Sequence, residues 1–181
     1  VLAAPDALRE FDGQRLVTPA DAAAPGAKVA AVVIGDAGDD LSFANLDAAF
    51  RLVRAGADLV AMHRNPWWIT PRGPSLDAGA LVAGLEWALG RRAHVAGKPS
   101  AVVFRAASAG IARDLGLRRP APTALAMVGD DLTTDLAPAR RLGMRTILVL
   151  TGKVSAAGVP SAVRRARVAP GVEVPLLAAG L

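Results

Sequence analysis

Three aspartates follow a short apolar segment in the second half of the chain. Residues 124–128 predict a buried strand, and Asp130, Asp131 and Asp135 come soon after it, beyond Gly129. In open α/β sheets ligands bind beyond the carboxyl ends of the strands, so these side chains would meet where such a fold does its chemistry. Crowded carboxylates need a cation or a proton to offset their charge, and hard oxygen ligands suit Mg²⁺. The alternative is a solvated turn in which Asp130 or Asp131 only caps the next helix.

A lysine follows a second apolar segment. Lys98 lies between Gly97, which allows a sharp turn, and Pro99, which stiffens the exit, so this pattern directs one ammonium group off a strand end. An ammonium beside a metal-binding acid cluster is what a phosphoryl group requires, because the charge on its oxygens must be neutralised from several sides. A surface lysine in a turn is the alternative. Helices are predicted after both motifs, over 100–115 and 134–142, and this repetition favours a shared site.

The remaining chain alternates predicted strands and helices. Apolar segments rich in β-branched residues predict strands over residues 28–34, 59–62, 95–97 and 146–150. Residues 66–73 contain Pro, Gly and Trp and predict a loop or hairpin. The alternation is typical of an α/β fold, with a largely parallel sheet and helices on its faces.

Two helices carry clear start and stop signals. Ser42 can cap a helix over 43–54, and Asp77 can cap a helix that runs to Leu89 and ends at Gly90. The apolar spacing predicts these inward-facing side chains: Leu46, Phe50 and Val53 in the first helix, and Leu81, Leu85 and Ala88 or Leu89 in the second.

Composition limits the class of protein. A length of 181 residues fits one large or two small domains, and a content of 52% hydrophobic and 20% charged residues is globular. The chain has no cysteine, which excludes disulfides, thiolate nucleophiles and Cys-ligated zinc and agrees with a cytoplasmic location. No segment approaches the length that spans a bilayer, and residues 1–15 lack a signal-peptide pattern, so we expect no membrane partner.

The net charge of +5 raises the possibility of nucleic-acid binding. The basic residues are nearly all arginines spread along the chain. The one dense cluster, at residues 164–167, has no aromatic neighbour on which a base could stack. We therefore expect no nucleic-acid partner.

The two motifs together resemble those of a known family. Gly97-Lys98-Pro99, followed by Gly129-Asp130-Asp131 and then Asp135, is similar to the third and fourth motifs of the haloacid dehalogenase-like (HAD) phosphatases. Further segments are similar to the subgroup with a large α/β cap: 57–63, Trp67-Trp68, 79–86, 143–146 and 150–153. The similarity covers most of the chain, although residues 1–28 match only loosely.

The resemblance implies a fold and a domain order. The fold would be α/β, with the C-terminal half of a Rossmann-like HAD core and part of an α/β cap domain. Residues 1–92 would be the partial cap, and residues 93–181 the half core. The boundary near Arg91-Arg92 agrees with a helix terminator, Gly90, and with a new strand after it.

The resemblance also implies a reaction and its residues. The family hydrolyses small phosphorylated compounds with Mg²⁺ through an aspartyl-phosphate intermediate. Asp130 matches the metal ligand, and Lys98 matches the catalytic lysine that binds phosphate. Asp135 matches the second acid, which holds that lysine or a metal-bound water. Asp131 is a weaker candidate, because adjacent side chains do not both face one ion without a backbone adjustment.

The chain departs from the family at the nucleophile. The family's nucleophile lies in an Asp-x-Asp-Gly motif, whereas Phe11-Asp12-Gly13 lacks the first Asp and has Glu10 before Phe11. The sequence also begins with Val1. We therefore expect a fragment that begins inside the cap and has no activity by itself.

Substrate contacts are predicted less sharply. His63, Arg64 and Asn65 follow a predicted cap strand and are possible cap contacts to the substrate, although a packed or surface histidine is the alternative for His63. Trp67 and Trp68 suit hairpin packing or a dimer contact, and a homodimer is possible by resemblance. The phosphorylated substrate is not named by the sequence.

Two other classes of protein remain open. A non-catalytic HAD-fold binding protein that lacks the nucleophile would bind Mg²⁺ weakly without hydrolysis. A receiver-type signalling domain also has acids and a lysine at strand ends, but there the acid pair precedes the lysine, whereas Lys98 comes first here.

Overall fold

The computed structural model describes residues 1–22, 24, 26–161 and 176–177. Its contacts divide the chain into two compact units. The first unit comprises Val1–Trp68 and Pro74–Gly97, and the second comprises Ile69–Gly73 and Lys98–Leu181. The division falls a few residues after the predicted domain boundary, and the assignment of the units to cap and core stays a prediction.

The first unit contains a three-stranded parallel sheet. Strands β1 (Ala31–Ile34), β2 (Asp58–Ala61) and β5 (His94–Val95) lie in the order β1-β2-β5. Leu2 adds one parallel bridge to Ile34. The strands predicted over 28–34 and 59–62 are confirmed, although β1 begins three residues later than the apolar pattern suggests. The strand predicted over 95–97 is shorter and lies earlier in the chain, because β5 is His94–Val95.

Both predicted helices of the first unit are confirmed with their caps. Helix α3 spans Phe43–Arg54, and the hydroxyl oxygen of Ser42 accepts a hydrogen bond from Asn45 N at 3.3 Å. Helix α4 spans Ala78–Leu89, and Asp77 accepts from Ala78 N at 2.7 Å. Gly90 ends α4 in the left-handed conformation, which costs a glycine little. Two short helices precede them, α1 (Pro5–Leu8) and α2 (Pro19–Ala22).

The buried face of α4 agrees in part with the predicted one. Of the predicted positions, Leu85 is buried and Leu89 packs against the core, whereas Leu81 is half-buried and Ala88 is exposed; Val82 is buried as well. Glu86 is buried on the same face, and the apolar pattern gives no sign of it. The core of this unit joins the sheet to α3 and α4 through these buried side chains: Val32, Ile34, Ala49, Val53, Ala57, Leu59, Ala61, Ala78, Val82 and Leu85.

The segment predicted as a loop or hairpin is a hairpin. Strands β3 (Trp67–Thr70) and β4 (Gly73–Leu76) pair in a two-stranded sheet. The hydroxyl of Thr70 donates to Gly73 O at 2.8 Å across the turn.

The second unit also contains a parallel sheet. Strands β6 (Ala126–Gly129), β7 (Arg145–Val149) and β8 (Leu176–Leu177) lie in the order β6-β7-β8. The helix predicted over 100–115 is confirmed as α5, Ala101–Asp114, and Ser100 is its N-cap. A small core of this unit contains Leu132, Leu136, Leu148 and Val154. The arginine cluster at 164–167 lies outside the described residues.

The helix predicted over 134–142 begins differently. A π-helical turn, Leu132–Leu136, precedes the short helix α6, Ala137–Arg141. Leu136 N donates to Asp131 O at 3.1 Å, the spacing of a π-helix. Pro138 has no N–H to continue a regular α-helical ladder from Thr134, which favours this wider turn. Among the described residues, no helix has the length and apolar character needed to cross a membrane.

Candidate active site

The acidic loop that follows β6 brings Lys98 against Asp135. Lys98 Nζ lies 2.9 Å from Asp135 Oδ1, and the side chains are 45% and 5% exposed, respectively. The oxygen has no well-aligned hydrogen-bond donor among the described residues, so the contact is an ion pair. The structure therefore places the buried acid behind a lysine that still reaches solvent.

Gly129 makes room for Asp135. A Cβ atom at Gly129 would lie 2.5 Å from Asp135 Oδ2 and 3.0 Å from its Cγ, closer than real atoms pack. The strand therefore ends in a glycine because the carboxylate packs directly on the backbone there. The π-helical turn supplies Asp135 from the other side of the loop.

The pKa of Asp135 is raised from its ordinary value. Burial is the main cause, and the charges of Asp131 and Asp130 raise the pKa further. The ion pair with Lys98 opposes these effects without cancelling them. The crowding of carboxylates that the sequence pattern suggests therefore contributes to the raised pKa of Asp135, but less than burial does.

Both carboxylate oxygens of Asp131 accept hydrogen bonds that stabilise the loop. Its Oδ1 accepts hydrogen bonds from Thr133 N at 2.7 Å, from Thr133 Oγ1 at 2.6 Å and from Thr134 N at 3.0 Å, which caps the π-helical turn. Its Oδ2 accepts from Lys153 Nζ at 2.7 Å. Burial alone raises the pKa of Asp131, but the bonds from Lys153, Thr133 and Thr134 outweigh it and hold the pKa well below its usual range.

Asp130 is the least occupied of the three acids. Its Oδ2 accepts a hydrogen bond from Lys153 N at 2.9 Å. Within the described residues its Oδ1 receives no hydrogen bond. The capping alternative thus describes Asp131 and not Asp130.

The donor set around Asp130 fits Mg²⁺ as one protein ligand. The described residues contain no group of three or more His, Cys, Asp or Glu side chains placed to hold a metal ion. Mg²⁺ commonly keeps several waters and takes one or two carboxylates together with phosphate oxygens, so a single carboxylate suits it. The assignment of Asp130 as metal ligand, and of Lys98 and Asp135 as catalytic residues, stays a prediction.

Lys153 was not identified from the sequence as a site residue. Its side chain is only 8% exposed and pairs with Asp131, more than twenty residues earlier in the chain. No local spacing rule connects residues so far apart. The family-like segment 150–153 contains Lys153, but its place beside Asp131 follows only from the pairing of β6 with β7.

The predicted cap contacts lie in the first unit and have partners there. His63 Nδ1 accepts from Asn65 N at 3.3 Å, and its Nε2 lies 3.6 Å from Asp77 Oδ1. Arg64 Nη2 lies 2.9 Å from Glu86 Oε2. A Cβ atom at Gly79 would lie 2.6 Å from Asn65 N, so the loop packs closely on the start of α4. These contacts fix the loop, and its role toward a substrate stays a prediction.

Gly97 precedes Lys98 for a reason other than the predicted sharp turn. Its φ angle is not in the left-handed region. A Cβ atom there would collide with Met62 O and lie 3.2 Å from Met62 C. Glycine is therefore required by the close approach of the backbone after β2.

Comparison with known proteins identifies the family. A HAD-hydrolase-like family model matches residues 95–174. The haloacid dehalogenase-like hydrolase domain-containing protein 2 of Bos taurus is 39% identical over 127 residues, which cover 70% of this chain and 46% of the relative.

Two solved structures extend the comparison. A 4-nitrophenylphosphatase from Thermotoga maritima is 30% identical with a TM-score of 0.69, covering 89% of this chain and 57% of its own. A glycerol phosphate phosphatase from Mycobacterium tuberculosis, solved with magnesium, is 34% identical with a TM-score of 0.56, covering 71% and 36%.

The chain belongs to the haloacid dehalogenase-like hydrolase family. The α/β, Rossmann-like fold that the motifs suggested is confirmed by these matches and by the two parallel sheets. The chain spans about half the length of the curated relatives it matches.

Proposed function

We propose that this chain supplies the phosphate-binding lysine and the magnesium-binding carboxylate of a phosphatase that acts on a small phosphorylated compound. The observation that carries the proposal is the ion pair of Lys98 with buried Asp135, next to Asp130 in the same loop. An ion pair with only a structural role would not require a further carboxylate, that of Asp130, in the same loop. The phosphatase names of the two structural relatives support the same reaction class.

Each residue has a distinct task in this proposal. Lys98 donates to the oxygens of the phosphoryl group, and Asp135 holds the ammonium in place and favours its charged form. Asp130 would hold Mg²⁺, and the ion would neutralise charge on the phosphoryl oxygens as a Lewis acid.

The nucleophile is the part of the reaction that these 181 residues do not provide. The sequence contains no Asp-x-Asp-Gly motif. We propose that the aspartyl-phosphate intermediate forms on such a motif in a longer protein, and that the 181-residue chain alone does not turn over. Residues 1–92 act as part of the cap, with His63, Arg64 and Asn65 facing the substrate. A cytoplasmic location and a homodimer belong to the same proposal.

An assay of two proteins tests this function. The 181-residue chain alone should not hydrolyse 4-nitrophenyl phosphate. The chain joined behind the first part of the Thermotoga maritima relative should hydrolyse it, and EDTA should abolish the activity. Lys98→Met and Asp130→Asn should each lower kcat/KM by about a hundredfold or more. Lys28→Met, at an exposed lysine, is the matched control and should change nothing.

Two outcomes would reject the proposal. Hydrolysis that survives both Lys98→Met and Asp130→Asn would remove these residues from the site. An intact mass of 18.5 kDa for the protein made by its own cell, with Mg²⁺ binding and no hydrolysis, would favour the non-catalytic binding protein instead. The missing Asp-x-Asp-Gly motif is the observation that keeps this second function open.

A further inference from the structure

One turn after β7 contacts two of the three clustered carboxylates. Lys153 N donates to Asp130 Oδ2 at 2.9 Å, and Lys153 Nζ donates to Asp131 Oδ2 at 2.7 Å. A single residue therefore holds adjacent acids through two different groups, one on its backbone and one at the end of its side chain.

The residue before Lys153 is fitted closely to Asp130. A Cβ atom at Gly152 would collide with Asp130 Oδ2 and lie 2.6 Å from Asp130 Cγ. The φ angle of Gly152 is not in the left-handed region, so an added methyl group would act through this collision and not through backbone strain. Only glycine lets the backbone come close enough for the amide of Lys153 to reach the carboxylate.

The charges of the cluster show which acid remains for a cation. Within the part of the chain that the structure describes, Asp130, Asp131 and Asp135 face two ammonium groups, because Lys98 pairs with Asp135 and Lys153 pairs with Asp131. A neutral amide is a weaker partner for a carboxylate than an ammonium, so Asp130 has weaker electrostatic compensation than Asp131 or Asp135. The uncompensated negative charge of the cluster thus lies on the acid that Gly152 and Lys153 orient.

We propose that the Gly152-Lys153 turn is a positioning element of the magnesium site. Its amide fixes the direction of the Asp130 carboxylate, and its ammonium keeps Asp131 in the capping position and away from the ion. This inference rests on the proposed function, because it takes Asp130 as the ligand. Residues that orient a metal ligand typically contribute about 10–100-fold to metal affinity.

A magnesium titration of the 181-residue chain tests the first half of the inference. Mg²⁺ alone is added at millimolar concentrations while NMR follows the Asp side-chain carboxyl carbons. In the unchanged chain the signal of Asp130 should shift and that of Asp131 should not. Gly152→Ala should weaken the binding about tenfold or more. Gly110→Ala is the matched control in α5, where the nearest atom to an added Cβ is 3.9 Å away, and it should bind as the unchanged chain does.

The side-chain signals of lysine report whether Gly152→Ala is folded. The chain has only three lysines, Lys28, Lys98 and Lys153, so each labelled ammonium group can be followed separately. A slowly exchanging Lys153 ammonium in Gly152→Ala shows that the pair with Asp131 persists while Asp130 is displaced. A merely structural glycine would lose both together.

A second variant keeps the amide and removes the ammonium. In Lys153→Met the Asp131 carboxylate loses its charged partner, and Mg²⁺ should then shift the Asp131 signal as well as that of Asp130. Unchanged Mg²⁺ affinity in folded Gly152→Ala, or a shift of Asp131 already in the unchanged chain, would overturn the inference and leave the proposed function standing. No shift of Asp130 in the unchanged chain would overturn the magnesium assignment and the inference together.

Discussion

Each unit of the molecule buries an ionic cluster, and the two clusters are balanced differently. In the first unit one carboxylate, Glu86, lies between Arg64 at 2.9 Å and Arg92 at 3.0 Å and also accepts from Ala93 N at 2.9 Å. In the second unit, among its described residues, three carboxylates share two ammonium groups. The first cluster has more positive than negative groups around its buried acid, and the second has a surplus of negative charge.

The difference indicates what each cluster is for. A buried carboxylate whose ion pairs and hydrogen bonds are satisfied within the protein needs no ligand, and it rigidifies the segments that it contacts. In a cluster with surplus negative charge, repulsion among the carboxylates lowers the stability of the folded chain. Such destabilised clusters are typical of sites that bind a ligand. We therefore interpret the Glu86 cluster as structural and the acidic loop of the second unit as functional.

The largest expected effect is at Glu86. Glu86→Ala leaves the buried end of Arg64 and the Ala93 amide without their acceptor, so we expect the free energy of unfolding of the first unit to fall by about 2–4 kcal/mol. All three tryptophans lie in this unit, so urea unfolding followed by fluorescence reports it directly. Glu86→Gln should lose less, because its amide oxygen still accepts from Ala93 N.

The matched control is Glu10→Ala at an exposed glutamate of the same unit. It should change the free energy of unfolding by less than about 0.5 kcal/mol. If the two alanine variants unfold alike, the Glu86 cluster contributes nothing and the contrast between the clusters fails.

The next largest effect is expected at the ion pair of Lys153 with Asp131, which can be tested separately from the surplus negative charge of the second cluster. Lys153→Met leaves Asp131 buried and charged, and we expect a loss of about 2–3 kcal/mol in the second unit. Because the second unit contains no tryptophan, its stability is measured by hydrogen exchange of the β6 amides. The double variant Asp131→Asn with Lys153→Met removes both charges, and Asn can still cap the π-helical turn, so much of the loss should return. A double variant no more stable than Lys153→Met would show that the two residues are not coupled.

The sequence predicts which residues form the loop better than it predicts the role of each one. Asp130, Asp131 and Asp135 are found by their position after an apolar strand, and Lys98 by its place between Gly97 and Pro99. Which aspartate caps and which remains available depends on Lys153, and the pairing of β6 with β7 brings it there. That pairing is a long-range event, so no window of local sequence contains it.

The same limit applies to the helices. Ser42, Asp77 and Gly90 mark helix ends because capping is local, and these predictions are confirmed. The inward face of α4 is predicted correctly at Leu85 and Leu89 but not at Leu81, which is only half-buried. The burial of Glu86 is not predicted, because its partners Arg64 and Arg92 lie outside the helix. The π-helical turn also escapes prediction, although Pro138 is its local cause.

Acid and base should act oppositely on the second cluster. The pKa of Asp131 is lower in the folded chain, so its contribution to stability is present above pH about 4 and is lost as the pH falls through the folded pKa. The pKa of Asp135 is higher in the folded chain, so its contribution is present below pH about 4 and is lost as the pH rises through the folded pKa.

Two variants separate these slopes, each limited to about 1.4 kcal/mol per pH unit for one group. Asp131→Asn should remove part of the loss of stability in acid. Asp135→Asn should remove part of the loss on raising the pH above about 4. Hydrogen exchange of β6 amides across this range measures both. Parallel pH profiles for the two variants would contradict the opposite shifts.

The smallest expected effect is a gain. Asp130→Asn removes the surplus charge but keeps an oxygen that accepts from Lys153 N, so we expect the second unit to become about 0.5–1 kcal/mol more stable while Mg²⁺ binding is lost. The gain should shrink in high salt, where repulsion among the acids is screened. Asp114→Asn, at an exposed acid of the same unit, is the control and should alter neither property. A loss of stability in Asp130→Asn would mean that all three acids are structural, and the distinction between the two clusters would disappear.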